Sequence, residues 1–434
     1  MERILRSTLA LLAFRTLLVT ASEAIKTEQE LVQIFMNQED VHSSEELHRI
    51  IGPLKEIPDY RHWNYDELTQ YLKYYDWLKV AGRDFLVYLA WLLLNEYQSN
   101  VWIRNLVDTT RIHLMPSMNP DGYEESVEGA DTGKRGRENA NRKDLNRNFP
   151  TRFPNYFPSQ NPEPETLAMM SWSKSLPFVL SANLHGGSML VNYPFDDAPT
   201  RVKDSKYTPS PDNALFVRLA YSYAKAHDRM WKQGPRCIDE ELNSPGDPKY
   251  GIVNGAEWYI VSGGMQDWNY VHTNCFEVTV ETNCAKFPKK EEMRWLWKEN
   301  NYAMLHYISL VHNAISGFIY DMETGQGIPN ATVSIDFRSK IITSYEGGEF
   351  WRLANIGDYE VTFDHPEYIP VTRKVSLTKE KRSARLEVGL ARIPSEYAHD
   401  GPELRSYDDM TRSSPILTFF TSFFIPLLSM GFYN

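Results

Sequence analysis

Cysteine and positive charge are both scarce in this sequence. The 434 residues include three cysteines, Cys237, Cys275 and Cys284, so a disulfide-rich scaffold is excluded and at most one internal bridge can form. Acidic residues outnumber basic ones by 57 to 46, which gives a formal net charge of −11. This acidic balance argues against binding to nucleic acid and favours basic ligands.

Apolar residues, in contrast, are plentiful. Hydrophobic residues make up 42% of the chain and aromatic residues 13%, which is enough for a large core. The length indicates two or three domains.

The two ends of the chain have the composition of targeting signals. Residues 1–24 combine a basic start, an apolar middle and small residues at Ala21 and Ala24, which is typical of a secretory signal peptide. The alternative is a buried first helix. Residues 415–434, PILTFFTSFFIPLLSMGFYN, form a hydrophobic tail behind a linker at 392–414, and this arrangement is typical of a lipid-anchor signal. We therefore expect a protein that is secreted or held on the extracellular face of the plasma membrane.

The pattern between the ends predicts two kinds of domain. Residues 25–58 are polar and helix-prone. Residues 59–313 alternate predicted strands with predicted helices, which indicates an α/β domain with a mixed central sheet and helices on both faces. The predicted strands are TRIHLMPSM, LPFVLSANL, NGAEWYIV and CFEVTVE; the predicted helices cover 85–97, 212–227 and 291–312. Residues 314–391 contain short alternating strands with Gly, Pro and Asp turns, which predicts a small all-β domain.

One candidate metal ligand is His185, in FVLSANLHGGSM. It follows an apolar strand and precedes Gly186 and Gly187. Ligands of open α/β sheets bind beyond the carboxyl ends of the strands, so a histidine at this place is a candidate ligand. The alternative is a core histidine bonded to the backbone.

A second candidate is the basic segment GRENANRKDLNRNFP, at 136–150. Arginine binds planar carboxylates with two parallel hydrogen bonds, and asparagine adds further donors. Arg137, Asn146 and Arg147 are therefore candidates for holding a small anion. The alternative is a solvated basic loop.

A third candidate is the strand CFEVTVETNC, at 275–284. In a strand, Glu277, Thr279 and Glu281 share one face, and Glu281 lies near the carboxyl end, where a carboxylate is placed to act as a general base. The alternative is a solvent-facing edge strand. Tyr259, in GAEWYIVSGGMQDWNY, lies in a Gly-flanked loop that can close over a ligand.

Taken together and in this order, these segments resemble the zinc metallocarboxypeptidases of the regulatory N/E subfamily. The resemblance covers roughly residues 59–391, including a transthyretin-like β module at 314–391. The strings that carry it are RIHLMPSMNPDGYE, DLNRNFP, VLSANLHGG, YPFD, GGMQDWNY and HTNCFEVTVE.

The resemblance implies one Zn²⁺ per chain and a role for each matching residue. His185 matches the third zinc ligand, Glu281 the base that deprotonates zinc-bound water, and Arg137 the residue that polarises the scissile carbonyl. Asn146, Arg147 and Tyr259 match the clamp on the substrate's terminal carboxylate. Asp196 and Gln266 match the pocket that selects a C-terminal Lys or Arg. The resemblance also implies a Cys237–Cys284 disulfide, with Cys275 a buried free thiol.

The stretch DWLKVAGRDF departs from the family pattern. The first two zinc ligands of the family lie in a His-Gly-Asn-Glu string, and here Asp76 and Lys79 occupy those positions. The two strands that precede this point in the family are missing, so the domain is truncated near 76–80, with good matches on both sides of an abrupt junction. A protonated lysine cannot bind zinc. His42 and Glu45 have the spacing of a replacement pair, but their segment is typical of a capped, solvated helix start.

Two functions follow from these observations. The first is a zinc-dependent exopeptidase that removes C-terminal Lys or Arg from peptides and proteins. The second is a zinc-deficient variant that at most binds peptide C-termini. Stoichiometric zinc distinguishes them, because a catalytic zinc site needs three protein ligands and an open position.

Overall fold

The computed structural model describes residues 28–36, 41–57, 81–130, 136–155, 161–199, 206–232, 237, 250–336 and 339–394. Its α-helices are α1 Glu28–Met36, α2 Ser44–Ile51, α3 Ala81–Glu96, α4 Val101–Thr109, α5 Pro120–Glu125, α6 Pro164–Ser175, α7 Asn213–Ala226, α8 Gly255–Trp258, α9 Met265–His272 and α10 Met293–Ser309. Short 3₁₀ turns cover Leu145–Arg147, Lys290–Glu292 and Leu310–His312. The strands are β1 Leu180–His185, β2 Ser188–Tyr193, β3 Ile252–Asn254, β4 Phe276–Asn283, β5 Ala314–Asp321, β6 Thr332–Ser334, β7 Ile342–Thr343, β8 Glu349–Leu353, β9 Gly357–Asp364, β10 Val371–Leu377 and β11 Ala384–Leu390.

The predicted helices form, with small shifts at their ends. Helix α3 begins four residues before the predicted start, while α7 and α10 lie within the predicted spans. Helix α2 begins at a capping box, in which the Ser43 side chain accepts from the Glu46 amide and the Glu46 carboxylate accepts from the Ser43 amide. The interpretation of residues 43–52 as a capped helix start is therefore confirmed: His42 precedes the N-cap, Glu45 lies in the first turn, and neither belongs to a strand end.

The central sheet is mixed, as predicted. Its strand order is β1-β4-β2-β3, with β1 parallel to β4, β2 antiparallel to β4 and β3 parallel to β2. Strand β4 is buried along its whole length. On one face Phe276 stacks on Phe216 of α7 at 5.7 Å. On the other, Glu277 accepts a hydrogen bond from Asn269 of α9 at 2.6 Å, so helices cover both faces.

Two predicted strands are absent from this sheet. Residues 110–117 are not hydrogen-bonded in a ladder with any residue that the structure describes, although Ile112 and Leu114 pack against the core. The segment NGAEWYIV supplies only Asn254 to β3 and then turns into the single helical turn α8. Its apolar residues Ala256 and Val261 are buried although neither lies in a strand, and a short apolar run does not distinguish a strand from a buried helical segment.

The β domain has two sheets around a core of its own. Their strand orders are β10-β9-β6-β7 and β11-β5-β8, and every pairing is antiparallel except the parallel pair β5–β11. The buried side chains between the sheets include Val333, Phe363 and Val388. The predicted fold class, a mixed α/β sheet followed by a small all-β sandwich, is confirmed.

The cysteines are arranged as the family resemblance implied. Cys237 and Cys284 form a disulfide across a sequence separation of 47, and Cys275 is a buried free thiol. Within the ranges given above, the structure contains no helix that is both long and apolar enough to cross a membrane.

Candidate active site

The candidate site is built where the chain crosses the carboxyl end of β4. Strands β1 and β2 lie on either side of β4, so the Gly186–Gly187 link between them passes over its end, and Gly187 N–H donates to the Asn283 carbonyl at 2.9 Å. The parallel register places His185 opposite Glu281. His185 Nδ1 lies 3.5 Å from Glu281 Oε1, which places an imidazole and a carboxylate side by side at the edge of the sheet.

A cavity of about 170 Å³ opens at this crossing. It contains all the predicted site residues except Gln266. The residues that line it are Arg137, Asn146, Arg147, His185, Gly186, Gly187, Ser188, Asn192, Asp196, Trp258, Tyr259, Val261, Thr279, Glu281 and Lys286. The basic segment at 136–150 and the strand at 275–284 therefore meet in one concave site, although they are far apart in sequence.

Asp144 organises the basic wall of the cavity. Its Oδ1 accepts from the Asn146 amide at 3.1 Å and so caps the 3₁₀ turn Leu145–Arg147. Its Oδ2 accepts from Arg137 Nε at 2.7 Å. One carboxylate thus orients both the turn that carries the predicted clamp and the arginine beside it.

The predicted clamp residues Asn146 and Arg147 are held by each other and by the loop at 263–265. Asn146 Oδ1 accepts from the Met265 amide at 3.0 Å, and Arg147 Nη1 donates to the Asn146 carbonyl at 2.7 Å. Gly263 has φ +75°, and a Cβ there would lie 2.7 Å from the Arg147 carbonyl oxygen, so only glycine allows this approach. Tyr259 is 43% exposed, which places it at the rim of the cavity.

The acidic end of the cavity is a buried network around Asp196. Gln266 Nε2 donates to Asp196 Oδ1 and to Asn192 Oδ1, each at 2.6 Å, and its Oε1 accepts from Thr279 at 2.9 Å. Gln266 is 1% exposed and lies behind Asp196, so it orients that carboxylate and does not line the cavity. A Cβ on Gly255 would lie 1.7 Å from Asp196 Oδ1, so glycine is required at the start of α8.

Burial determines the electrostatics of this end. It raises the pKa of Asp196 to about 7, against the opposing effect of the nearby Arg147 cation. Asp267 accepts hydrogen bonds from the Asp196 and Asp197 amides, and burial followed by repulsion from Asp196 raises its pKa as well. A buried carboxylate is costly unless a cation pairs with it, so Asp196 favours a positively charged ligand group at this end of the cavity.

The described residues do not fit a complete zinc site. In the ranges that the structure covers, no group of three or more His, Cys, Asp or Glu side chains is placed to hold a metal ion. His185 is a suitable nitrogen donor, and Glu281 is its closest acidic partner. Asp76 and Lys79, which occupy the positions of the first two family ligands, lie outside the described residues.

Sequence reasoning missed several residues that shape the site. These are Asp144, Asn192, Thr279, Asp267 and Lys286. The alternation of β4 puts Thr279 on the face of Glu281, which was a usable signal. Asn192, Asp267 and Lys286 act through contacts between segments distant in sequence, and no local pattern indicates such contacts. Asp144 instead bonds to Arg137 and Asn146 within the basic segment at 136–150.

Comparison with known proteins identifies the family. A family model described as zinc carboxypeptidase matches residues 79–303, which is more than half of the chain. A second model, described as a carboxypeptidase regulatory-like domain, matches residues 314–391. This chain belongs to the zinc carboxypeptidase family.

The curated relatives are larger proteins. Carboxypeptidase D of Anas platyrhynchos is 44% identical over 344 residues, which is 77% of this chain and 24% of that protein. Human carboxypeptidase Z is 39% identical over 349 residues, covering 74% and 53%. The chain thus spans between about a quarter and about half of these relatives. A crystal structure of thrombin activatable fibrinolysis inhibitor aligns with 65% of this chain and 73% of that chain, at 15% identity and a TM-score of 0.37.

Proposed function

We propose that this zinc carboxypeptidase homologue acts on peptides and proteins that end in Lys or Arg, and that its activity is removal of that residue. The observation that carries the proposal is the pairing of opposite charges in one cavity. Arg137 and Arg147 line one wall, and the buried Asp196 lies at the other end. A free C-terminal carboxylate and a basic side chain on the same residue match these two ends.

Each of the predicted site residues that line or support the cavity has a part in the proposed recognition. Arg147, Asn146 and Tyr259 hold the terminal carboxylate, since arginine and amide donors bind carboxylate oxygens directionally. Arg137, oriented by Asp144, donates to the scissile carbonyl. Asp196 accepts the ammonium or guanidinium of the C-terminal side chain, and Gln266 keeps that carboxylate in place. We assign proton transfer to Glu281, which lies beside His185.

A second candidate function is binding without cleavage. It is favoured by the metal-ligand set of the described residues, which offers His185 but no group of three donors. The family match begins at residue 79 and so does not include Asp76. Because the donor set of the described residues is incomplete, we derive no hydrolytic step through zinc for this chain. Elemental analysis of the purified protein decides between the candidates: one zinc per chain supports the peptidase, and substoichiometric zinc supports the binding protein.

The specificity is tested with Asp196→Asn in the same chain. We expect wild type to bind a peptide ending in Arg more tightly than one ending in Phe, measured by calorimetry, with release of the terminal residue followed in parallel. Asp196→Asn should weaken binding of the Arg peptide by on the order of 2–4 kcal/mol, the range for losing one partner of a buried charge pair. Binding of the Phe peptide should change little.

Asp358→Asn, an exposed carboxylate in the β domain, is the matched control, and it should leave both affinities unchanged. An amidated Arg peptide should bind weakly to every variant, because the clamp needs a carboxylate. Equal Arg-to-Phe preference in wild type and Asp196→Asn would overturn the pocket assignment.

We further propose that the protein is a carboxypeptidase of the M type, anchored by lipid on the extracellular face of the plasma membrane. The support is compositional, from residues 1–24 and 415–434, which lie outside the described residues. Release of the protein from intact cells by a phospholipase that cleaves glycolipid anchors is the expected result. Retention in the membrane after that treatment would contradict the anchor.

A further inference from the structure

Lys286 is a cation at the candidate site to which the family resemblance assigns no role. Its side chain lines the cavity and lies across the Gly186–Gly187 crossing: a Cβ on Gly187 would meet Lys286 Cε at 2.9 Å and Cγ at 3.1 Å. Gly187 has φ +121°, and its lack of a side chain leaves room for the lysine stem. No residue in the described ranges forms an ion pair with Lys286.

The loop that carries Lys286 is held on both sides. Cys284, two residues earlier, is tied to Cys237 by the disulfide. Phe287, the next residue, is buried, and its ring lies 2.8 Å from the place where a Cβ on Gly136 would be, beside Arg137. The lysine stem is therefore positioned before any ligand arrives, which lowers the entropy lost when its ammonium makes a contact.

The groups along β4 define a direction through the cavity. Thr279 is joined through Gln266 to Asp196, at one end. Glu281 follows two residues later, opposite His185. Asn283 comes two residues after that and holds Gly187, over which Lys286 lies. Alternate residues of a strand are about 7 Å apart, so Asp196 and Lys286 lie on opposite sides of Glu281.

We propose that Lys286 determines specificity for the penultimate residue of the peptide, favouring an acidic side chain there and disfavouring a basic one. This rests on the proposed function. If the C-terminal basic residue occupies the Asp196 end and the scissile bond lies at Glu281, the residue on the other side of that bond lies toward Asn283 and Lys286. An ammonium in a half-buried position attracts a carboxylate and repels another cation.

The test uses the whole chain and three peptides that differ only at the penultimate position, with Glu, Gln or Lys before a C-terminal Arg. Calorimetric affinities of wild type at low salt should fall in the order Glu, Gln, Lys, by about three- to fivefold at each step, as expected for a partly solvated ion pair. The differences should shrink at about 0.5 M salt, because screening weakens exposed charge pairs.

Lys286→Met should remove the order, and Lys286→Arg should keep it. Lys290→Met, which removes an exposed lysine four residues along, is the matched control and should leave the order unchanged. An order that persists in Lys286→Met, or a wild type that binds all three peptides equally, overturns the proposal while leaving the proposed function intact. If no peptide ending in Arg binds in preference to its amide, both proposals are overturned.

Discussion

At the scale of single residues, the site depends on a carboxylate held where water cannot solvate it. Asp196 is 4% exposed, yet it borders a cavity lined by arginine side chains. The sequence identifies Asp196 only through its resemblance to a family motif. Its raised pKa follows from burial, which the hydrogen bonds with Asn192 and Gln266 only partly offset. The segments that bury it are distant in sequence, so neither its burial nor its pKa is predictable from local pattern.

The raised pKa of Asp196 predicts that ligand affinity depends on pH. Burial raises this pKa to about 7, so the empty pocket takes up a proton as the pH falls below that value. An arginine ligand stays cationic and needs the anion, so binding releases the proton. Affinity for a peptide ending in Arg should be constant above about pH 8 and decline below pH 7, by at most about tenfold per pH unit.

Calorimetry between pH 5.5 and 8.5 measures this dependence. In Asp196→Asn, where the group cannot titrate, the remaining affinity should vary less with pH. A flat wild-type profile would show that Asp196 is already ionised in the empty site. The same shift acts on stability with the opposite sign: between the ordinary pKa of aspartate and about 7, the folded state binds more protons, so this residue contributes less stability as the pH rises.

At the scale of elements, prediction succeeded where the apolar pattern was long. The alternation in β4 placed Glu277, Thr279 and Glu281 on one face, and the structure gives each of them a polar partner on that face. Its interpretation as a possible solvent-facing edge is wrong, because β1 and β2 pair with both of its edges. The segments at 110–118 and 254–261 are not strands of the sheet: the first packs Ile112 and Leu114 on the core without a ladder, and the second forms α8. A short apolar run does not distinguish these outcomes from a strand.

The loop after β4 is held by a disulfide. The Cys237–Cys284 bridge closes a loop with a separation of 47 residues, for which chain entropy gives about 4 kcal/mol of stabilisation. Cys237→Ser with Cys284→Ser should therefore lower the free energy of unfolding by about 2–4 kcal/mol, measured in urea. Cys275→Ala, which keeps the bridge and alters a buried thiol, is the control and should cost less. Equal stability of the oxidised and bridge-free proteins would contradict this.

At the scale of the whole molecule, the peptidase and β domains share a buried ionic cluster. Arg352 of β8 donates to Asp212 Oδ1 at 2.6 Å, and Tyr270 of α9 donates to Asp212 Oδ2 at 2.8 Å. The Lys340 amide donates to the same oxygen at 2.9 Å, and its ammonium donates to the Tyr270 carbonyl. Burial lowers the pKa of Lys340 to about 7. The change in sequence pattern at residue 314, which predicts the domain boundary, does not predict this contact. The residues of the cluster come from four separate segments.

Removing one partner of this cluster should destabilise the whole chain. The Arg352 side chain is 0% exposed, so Asp212→Ala leaves a buried guanidinium without its carboxylate, which costs about 3–5 kcal/mol. Urea unfolding followed by tryptophan fluorescence should show the loss. Adding Arg352→Met to Asp212→Ala should recover much of the lost free energy of unfolding, because the uncompensated charge is then gone.

The matched control for this last prediction is Arg385→Met, which breaks an exposed pair with Glu387 inside the β domain. Its free energy of unfolding should stay within about 0.5 kcal/mol of wild type, because exposed ion pairs contribute little. If Asp212→Ala were as mild as this control, or if Arg352→Met deepened the loss instead of relieving it, the cluster would not be what joins the two domains. Recovery in the double variant would show that the loss comes from the uncompensated buried guanidinium and not from the absence of the ion pair itself.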